Sequence, residues 1–281
     1  MNISKRFDMP RSLSTLESKL ILHLEWEKQS VVTIEEAARI LNCSPDYARK
    51  VLHRLARDRW LAMIVPGKYE LIPAERGEYA FTDTNPLFIG SYLVSPYYFS
   101  YATAAFYYGL TTQAPLSVYL ATMQGKTRKL QIREKIYQVV LVSSRHFFGF
   151  GDANAYGAVV QMANLEKTIL DSLHRPEYVG NIPEVATMLW RGKDRLNWTQ
   201  MAMGALRFGS QSLLQRLGYL ADLMKLPGTE ILHDLLLPKI GKNTCYLGQP
   251  ARWQTGGQHN SIWKIMDNIP RHELLADIEV V

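Results

Sequence analysis

Between Pro45 and Arg59 the chain sets Tyr47, Arg49, Lys50, His53, Arg54, Arg57 and Arg59 against only Asp46 and Asp58. Threaded through them, Val51, Leu52 and Leu55 recur at helical spacing, which leaves the cations and rings to occupy the rest of the cylinder. Guanidinium and ammonium groups hold phosphates, and polar side chains in the first turns of such a helix meet base edges. A cationic helix can equally be a solvated face of a protein-binding module, so the surrounding elements have to decide.

Other residues with chemical potential give weaker signals. Glu166 and Asp171 are carboxylates of the kind metal-dependent enzymes pair, but on one helix five positions place them about 140° apart. They do not converge, and Glu166 is expected to form a salt bridge with Lys167 or Arg175. The run GFGDAN, 149–154, carries Asn154 where a dinucleotide fingerprint needs its third glycine, and no Lys-Ser/Thr pair follows as in a phosphate loop. It reads as a glycine-rich turn between strands. Cys43 and Cys245 stand alone without metal-ligand spacing, and His259 has no nucleophile beside it in sequence. No catalytic residue, metal or cofactor is expected.

The elements that position the cationic stretch are strongly marked. Ser14 with Glu17 and Thr33 with Glu36 are capping boxes, in which side chain and backbone satisfy each other's free N–H groups. The first opens a helix with Leu16, Leu20, Ile21 and Leu24 as its stripe, ending near Trp26. The second opens a helix with Ala37, Ala38, Ile40 and Leu41 inside. Asn42 and Cys43 make a tight turn, Ser44 caps the cationic helix, and Pro45 sits at its first position, where no N–H is needed. Trp60 to Val65 is a strand, Pro66-Gly67 a turn, and Lys68 to Ile72 the returning strand. Helices joined by a tight turn and followed by a hairpin predict a winged helix-turn-helix over residues 1–80. The residues expected at DNA are Thr33, Ser44, Tyr47, Arg49, Lys50, His53, Arg54, Arg57, Lys68 and Tyr69. Arg49 or Lys50 is assigned to a guanine edge, and Arg54 and Lys68 to phosphates, with Lys68 and Tyr69 at the wing tip. Residues 1–12, with Lys5, Arg6 and Arg11, read as a frayed terminus rather than a phosphate-touching arm.

Ala74 to Pro86 is polar and turn-rich and reads as a linker. Beyond it, 81–281 predicts a mixed α/β domain with a mainly helical later part, making the whole chain α+β. Leu87 to Leu93 reads as strand or loop, and Ser95-Pro96 as the start of a helix ended by Gly109. Ser117–Thr122 and Tyr137–Val142 are strands joined by a basic crossing, 125–136, whose charges read as a solvated face before a second phosphate contact. Val159 to Leu173 reads as one helix. Further helices are expected over 183–190, 198–208, 210–224 and 229–236, and a closing hairpin about Gly256-Gly257.

The chain's 281 residues suggest two domains, or one with a satellite, and are ample for a sizeable core. A formal net charge of +6 suits a polyanionic partner but is too mild to prove one. No stretch approaches the roughly 20 apolar residues of a membrane span, and the opening MNISKRFDMPRS lacks a signal-peptide core. With unpaired cysteines, the expectation is a cytoplasmic protein without membrane contact.

Taken together, the G-K-Y wing, SYATAAFYYGLTTQAP (100–115), ANLEKTILDSLHRPEYVGNIPEVA (163–186) and GGQHNSIWKIMDNIPRHELL (256–275) resemble the AbiEi antitoxins of type IV toxin–antitoxin systems. The likeness runs over nearly the whole chain and is most specific at Glu166–Gly180 and Asn260–Pro270. It implies a DNA-binding antitoxin that represses its own operon at inverted repeats, and whose C-terminal domain counteracts a nucleotidyltransferase-like toxin, with direct contact to that toxin left open. Two other classes are a winged-helix DNA-processing enzyme of nuclease type and a winged-helix protein-interaction module. Three or more acidic or histidine side chains meeting in one pocket would favour the enzyme.

Overall fold

A computed structural model describes residues 12–76, 85–253 and 255–278, so the N-terminal arm and most of the linker lie outside the described residues. The chain is α+β with several sheets and divides into two compact units, Met1–Asn85 and Pro86–Val281. The sequence-based boundary was at 80/81.

The first unit runs α1 (Thr15–Trp26), β1 (Val31–Thr33), α2 (Ile34–Leu41), α3 (Pro45–Arg57), β2 (Leu61–Val65) and β3 (Lys68–Leu71). Both capping boxes form: Ser14 N–H donates to Glu17 Oε2 at 2.9 Å and Thr33 N–H to Glu36 Oε2 at 2.8 Å. Asn42 adopts the left-handed conformation that ends α2, with φ 53°, and the Ser44 hydroxyl accepts from Tyr47 N–H at 3.3 Å. Leu20, Leu24, Val32, Ala37, Leu41, Val51, Leu52, Leu55 and Leu61 form one buried core. The strands make an antiparallel sheet in the order β1-β3-β2, with Thr33 opposite Lys68 and Leu61 opposite Leu71. Strand β1 was not foreseen; it is too short to show a period of its own.

The second unit opens with α4 (Pro86–Ser91), β4 (Tyr97–Phe99) and α5 (Tyr101–Tyr107). Of the stretch Leu87 to Leu93, expected as strand or loop, residues 87–91 are therefore helical, and the helix expected from Ser95 begins only at Tyr101, after a short strand. There follow β5 (Ser117–Thr122), β6 (Arg128–Ile132), β7 (Lys135–Leu141), β8 (Phe150–Ala155) and β9 (Ala158–Ala163). They form a six-stranded mixed sheet in the order β6-β7-β5-β4-β9-β8. GFGDAN is thus mostly strand β8 rather than a turn. The run 159–173 is likewise two elements: β9 ends at Ala163, Asn164 caps, and α6 (Leu165–His174) begins, its Lys167 N–H donating to Asn164 Oδ1 at 2.8 Å.

Helices α7 (Ile182–Gly192), α8 (Trp198–Phe208), α9 (Gln211–Leu223) and α10 (Glu230–Leu236) complete the helical part. Every residue from Glu166 to Leu173 is buried, because α6 is packed on by α5, α7, α8 and α9. Gly218 on α9 lets the fully buried Trp263 lie against the helix: a Cβ there would stand 2.2 Å from the indole. The tail holds β10 (Cys245–Tyr246), α11 (Pro250–Trp253), β11 (Gln258–Asn260), β12 (Ile265–Asp267) and α12 (Arg271–Leu274). Its hairpin pairs β11 with β12 and turns at 261–264, downstream of the expected Gly256-Gly257. Among the described residues no helix is long and apolar enough to cross a membrane.

Candidate functional site

Taking about 100° per residue, Ala48, Val51, Leu52 and Leu55 cover one side of α3, and all are buried. Asp46, Arg49, Lys50, His53 and Arg57 occupy the opposite side and are exposed, while Tyr47 and Arg54 lie on its flank. The first turn is anchored from both ends, by the Ser44 cap and by Pro45 at the first helical position.

Within this face the charges are differently committed. Lys50 and His53 have no ionic partner among the described residues; the His53 ring stands edge-on to Tyr69 with centroids 6.1 Å apart. Arg49 Nη1 donates to Asp46 Oδ1 at 2.8 Å, and Arg57 Nε to Asp58 Oδ1 at 2.9 Å. These guanidiniums are solvent-exposed, so the pairs are weak and open to competition by a phosphate. Arg54 is different: its Nε donates to Glu17 Oε1 on α1 at 2.9 Å. Burial alone would raise the Glu17 carboxyl, but the Ser14 N–H, the Arg54 guanidinium and the Ser14 hydroxyl together bring it below the usual carboxylate range. Arg54, assigned to a phosphate from the sequence, thus ties α3 to α1 and keeps part of its side chain exposed.

The wing calls for a correction. Tyr69 is 1 % exposed and belongs to the core, and the cost of burying a phenolate raises its pKa. Residues alternate sides along β3, so Tyr69 points inward and cannot lie on a phosphate. Lys68 is half-buried beside Gly67, which makes the turn at φ 85°. The hydroxyls of Thr33 and Ser44 serve as caps, accepting from Glu36 N–H at 3.2 Å and Tyr47 N–H at 3.3 Å.

The second unit holds a polar constellation that the sequence reading missed. Lys167 and Asp171, one turn apart on α6, form an ion pair with side chains 1 % and 2 % exposed. Asp171 Oδ2 also accepts from Ser100 Oγ at 2.7 Å and Tyr98 Oη at 3.1 Å. The Lys167 ammonium lies over the rings of Tyr98, Phe148 and Phe208, within 5.1, 4.9 and 4.6 Å of their centroids. Burial lowers the Lys167 pKa, against the pull of Asp171. Next to this pair, burial depresses His174 to about 4 and also lowers His146. The available signal was a Lys-x-x-x-Asp spacing on a helix that also carries the apolar Ile169, Leu170 and Leu173. Glu166, expected to pair with Lys167 or Arg175, instead accepts the N–H of Asn197 at 2.9 Å, at the start of α8. His259 is exposed and near Thr244, and no group of three or more His, Cys, Asp or Glu side chains among the described residues is placed to hold a metal ion.

No family model matches the chain, and no curated protein matches it either. Among solved structures it is similar to the crystal structure of the RV2827C protein from Mycobacterium tuberculosis, with a TM-score of 0.69 over 99% of each chain at 18% identity. A likeness at that identity is one of fold.

Proposed function

We propose that the N-terminal unit is a winged helix-turn-helix that binds double-stranded DNA, with α3 as the helix that enters the major groove and the β2–β3 hairpin as the wing. The observation that carries this reading is the outward face of α3. Its apolar side is used up in the core, and the opposite side presents Arg49, Lys50 and His53, with Tyr47 on its flank, from the first turns, where a reading helix meets base edges. The element order supports it: three helices, then a hairpin, with β1 closing the sheet against β3. The resemblance to AbiEi antitoxins extends the reading. In it the protein is a cytoplasmic, non-enzymatic regulator that represses its own operon at inverted repeats, while the unit Pro86–Val281 counteracts a nucleotidyltransferase-like toxin.

The test is a mobility-shift titration of the full chain against the duplex upstream of its own reading frame and a scrambled duplex of equal length. Preference for the upstream duplex, lost on Arg49→Ala or Lys50→Ala in a folded protein, is the expected result. Equal affinity of both variants and the parent for the upstream duplex would overturn the assignment of α3 as reader.

A further inference from the structure

The second unit carries an open groove of about 650 Å³ between β5 and the single helical turn Pro176–Tyr178. Its floor is apolar and aromatic: Tyr119, Tyr178 and the buried Met188. At its lip Leu116 is 90% exposed, an aliphatic side chain with almost no protein cover. Tyr178 is already fixed, edge-on to Tyr101 at 5.0 Å and tilted on Tyr119 at 5.7 Å between centroids, so a ligand would find the ring in place.

Three carboxylates border this apolar slot, and they are not equivalent. Glu273 accepts from Trp253 Nε1 at 2.7 Å and lies 3.8 Å from Arg252 Nη2, whose guanidinium stacks on Trp253. Glu177 and Glu184 have no hydrogen bond or ion pair among the described residues; the half-buried Arg216 feels Glu177 only through space. Two carboxylates without a hydrogen bond or ion pair among the described residues, beside the rings of Tyr119 and Tyr178, favour one kind of occupant. Carboxylates pair with a guanidinium or ammonium group, and a tyrosine face stacks on the same cation. Leu116 adds a site for an aliphatic neighbour.

We propose that this groove is a docking site for a basic segment of a partner protein, one that carries arginine or lysine next to an aliphatic residue. The cation lies between Glu177 and Glu184 against Tyr178, and the aliphatic side chain covers Leu116. This site is separate from the DNA-reading face, and its failure leaves that assignment untouched.

The experiment is a fluorescence-anisotropy titration of the full chain with a labelled seven-residue peptide of alternating arginine and leucine, and with the same peptide carrying glutamate for arginine. Saturable binding of the basic peptide alone is expected. Glu177→Gln with Glu184→Gln should weaken it at least tenfold and Leu116→Ser at least threefold. Glu134→Gln, an exposed carboxylate in the turn between β6 and β7, should leave it unchanged. Near-ultraviolet circular dichroism and the urea transition establish that each variant is folded. Unaltered peptide affinity in the double variant, or no saturation by the parent, overturns the proposal. So does complete displacement by free arginine at the peptide's own concentration, which would mark a small-molecule site.

Discussion

Lys50 leaves α3 without an ionic partner among the described residues, whereas Arg54, one turn on, is held by Glu17, and the proposed reading gives the two side chains different roles. Lys50→Ala should therefore weaken binding to the upstream duplex by roughly 1–3 kcal/mol with no change in melting temperature. Arg54→Ala should do the reverse, lowering stability by less than about 1 kcal/mol, because the pair is only partly shielded from water. Mobility shifts and thermal melts on the two variants read out both effects. Deeper in the second unit the stakes per residue rise. Asp171→Asn leaves the Lys167 charge buried without its counter-ion, which costs about 3–5 kcal/mol. Adding Lys167→Met should restore much of that in urea denaturation, since the new amide oxygen still accepts from Tyr98 and Ser100. His174 gives a pH signature. Its folded pKa near 4 lies below the ordinary 6.5, so between those values the unfolded chain takes up a proton that the fold refuses. The stability it contributes is present above about pH 6.5 and lost as pH falls through 4. His174→Gln should make the urea midpoint less pH-dependent across that window; an identical slope in parent and variant would show that His174 titrates normally.

Elements were legible where local chemistry and tertiary packing agree. The caps at Ser14, Thr33, Ser44 and the left-handed Asn42 are set by backbone groups within a few residues, and α8 spans Trp198–Phe208 as its periodicity predicts. Reading failed where pairing partners far along the chain decide. Val159 and Met162 continue the helical phase of α6, yet they belong to β9, whose partners are β8 and β4. In β8, Gly151, Asp152 and Asn154 are poor strand formers, and the pairing with β9 overrides that preference. In the tail, Gly256-Gly257 looks more turn-like than 261–264. Gly257 instead serves a close approach, for a Cβ there would stand 2.3 Å from the Asp267 carbonyl oxygen. The exposed cationic face of α3 was legible in the sequence, while the burial of Tyr69 and the Arg54–Glu17 pair were not, because inward direction and a partner on α1 are not local properties. Gly218 tests the packing level. Alanine in an exposed helix gains up to about 1 kcal/mol over glycine, but here it would collide with Trp263, and overpacking a filled core costs about 1–3 kcal/mol. Gly218→Ala should accordingly lower the melting temperature and perturb the fluorescence of the buried indole. A stabilised variant would show that the indole has room to move.

At the scale of the whole molecule, the two units draw their buried residues from separate segments. The described core around Leu20, Leu52 and Leu61 ends at Leu71, and the one around Leu170, Leu189 and Leu217 runs from Ala105 to Ile278. A segment that closes its own core has the ordinary requirement for folding alone. The fragment 86–281 is therefore expected to be a cooperative folded protein, with near-ultraviolet circular dichroism and a single urea transition of its own. It lacks α3 and with it the proposed reading face, so its affinity for the upstream duplex should fall to that for scrambled DNA. If the division of labour implied by the AbiEi resemblance holds, the same fragment co-expressed with the neighbouring toxin should still relieve growth arrest, at least in part, without repressing the promoter. The two readouts are independent: the first tests the proposed reading face of α3, and the second the proposed role of the second unit. A folded fragment that kept its preference for the upstream duplex would move the DNA site out of the first unit. A folded fragment that failed to relieve toxicity would confine antitoxicity to the intact chain.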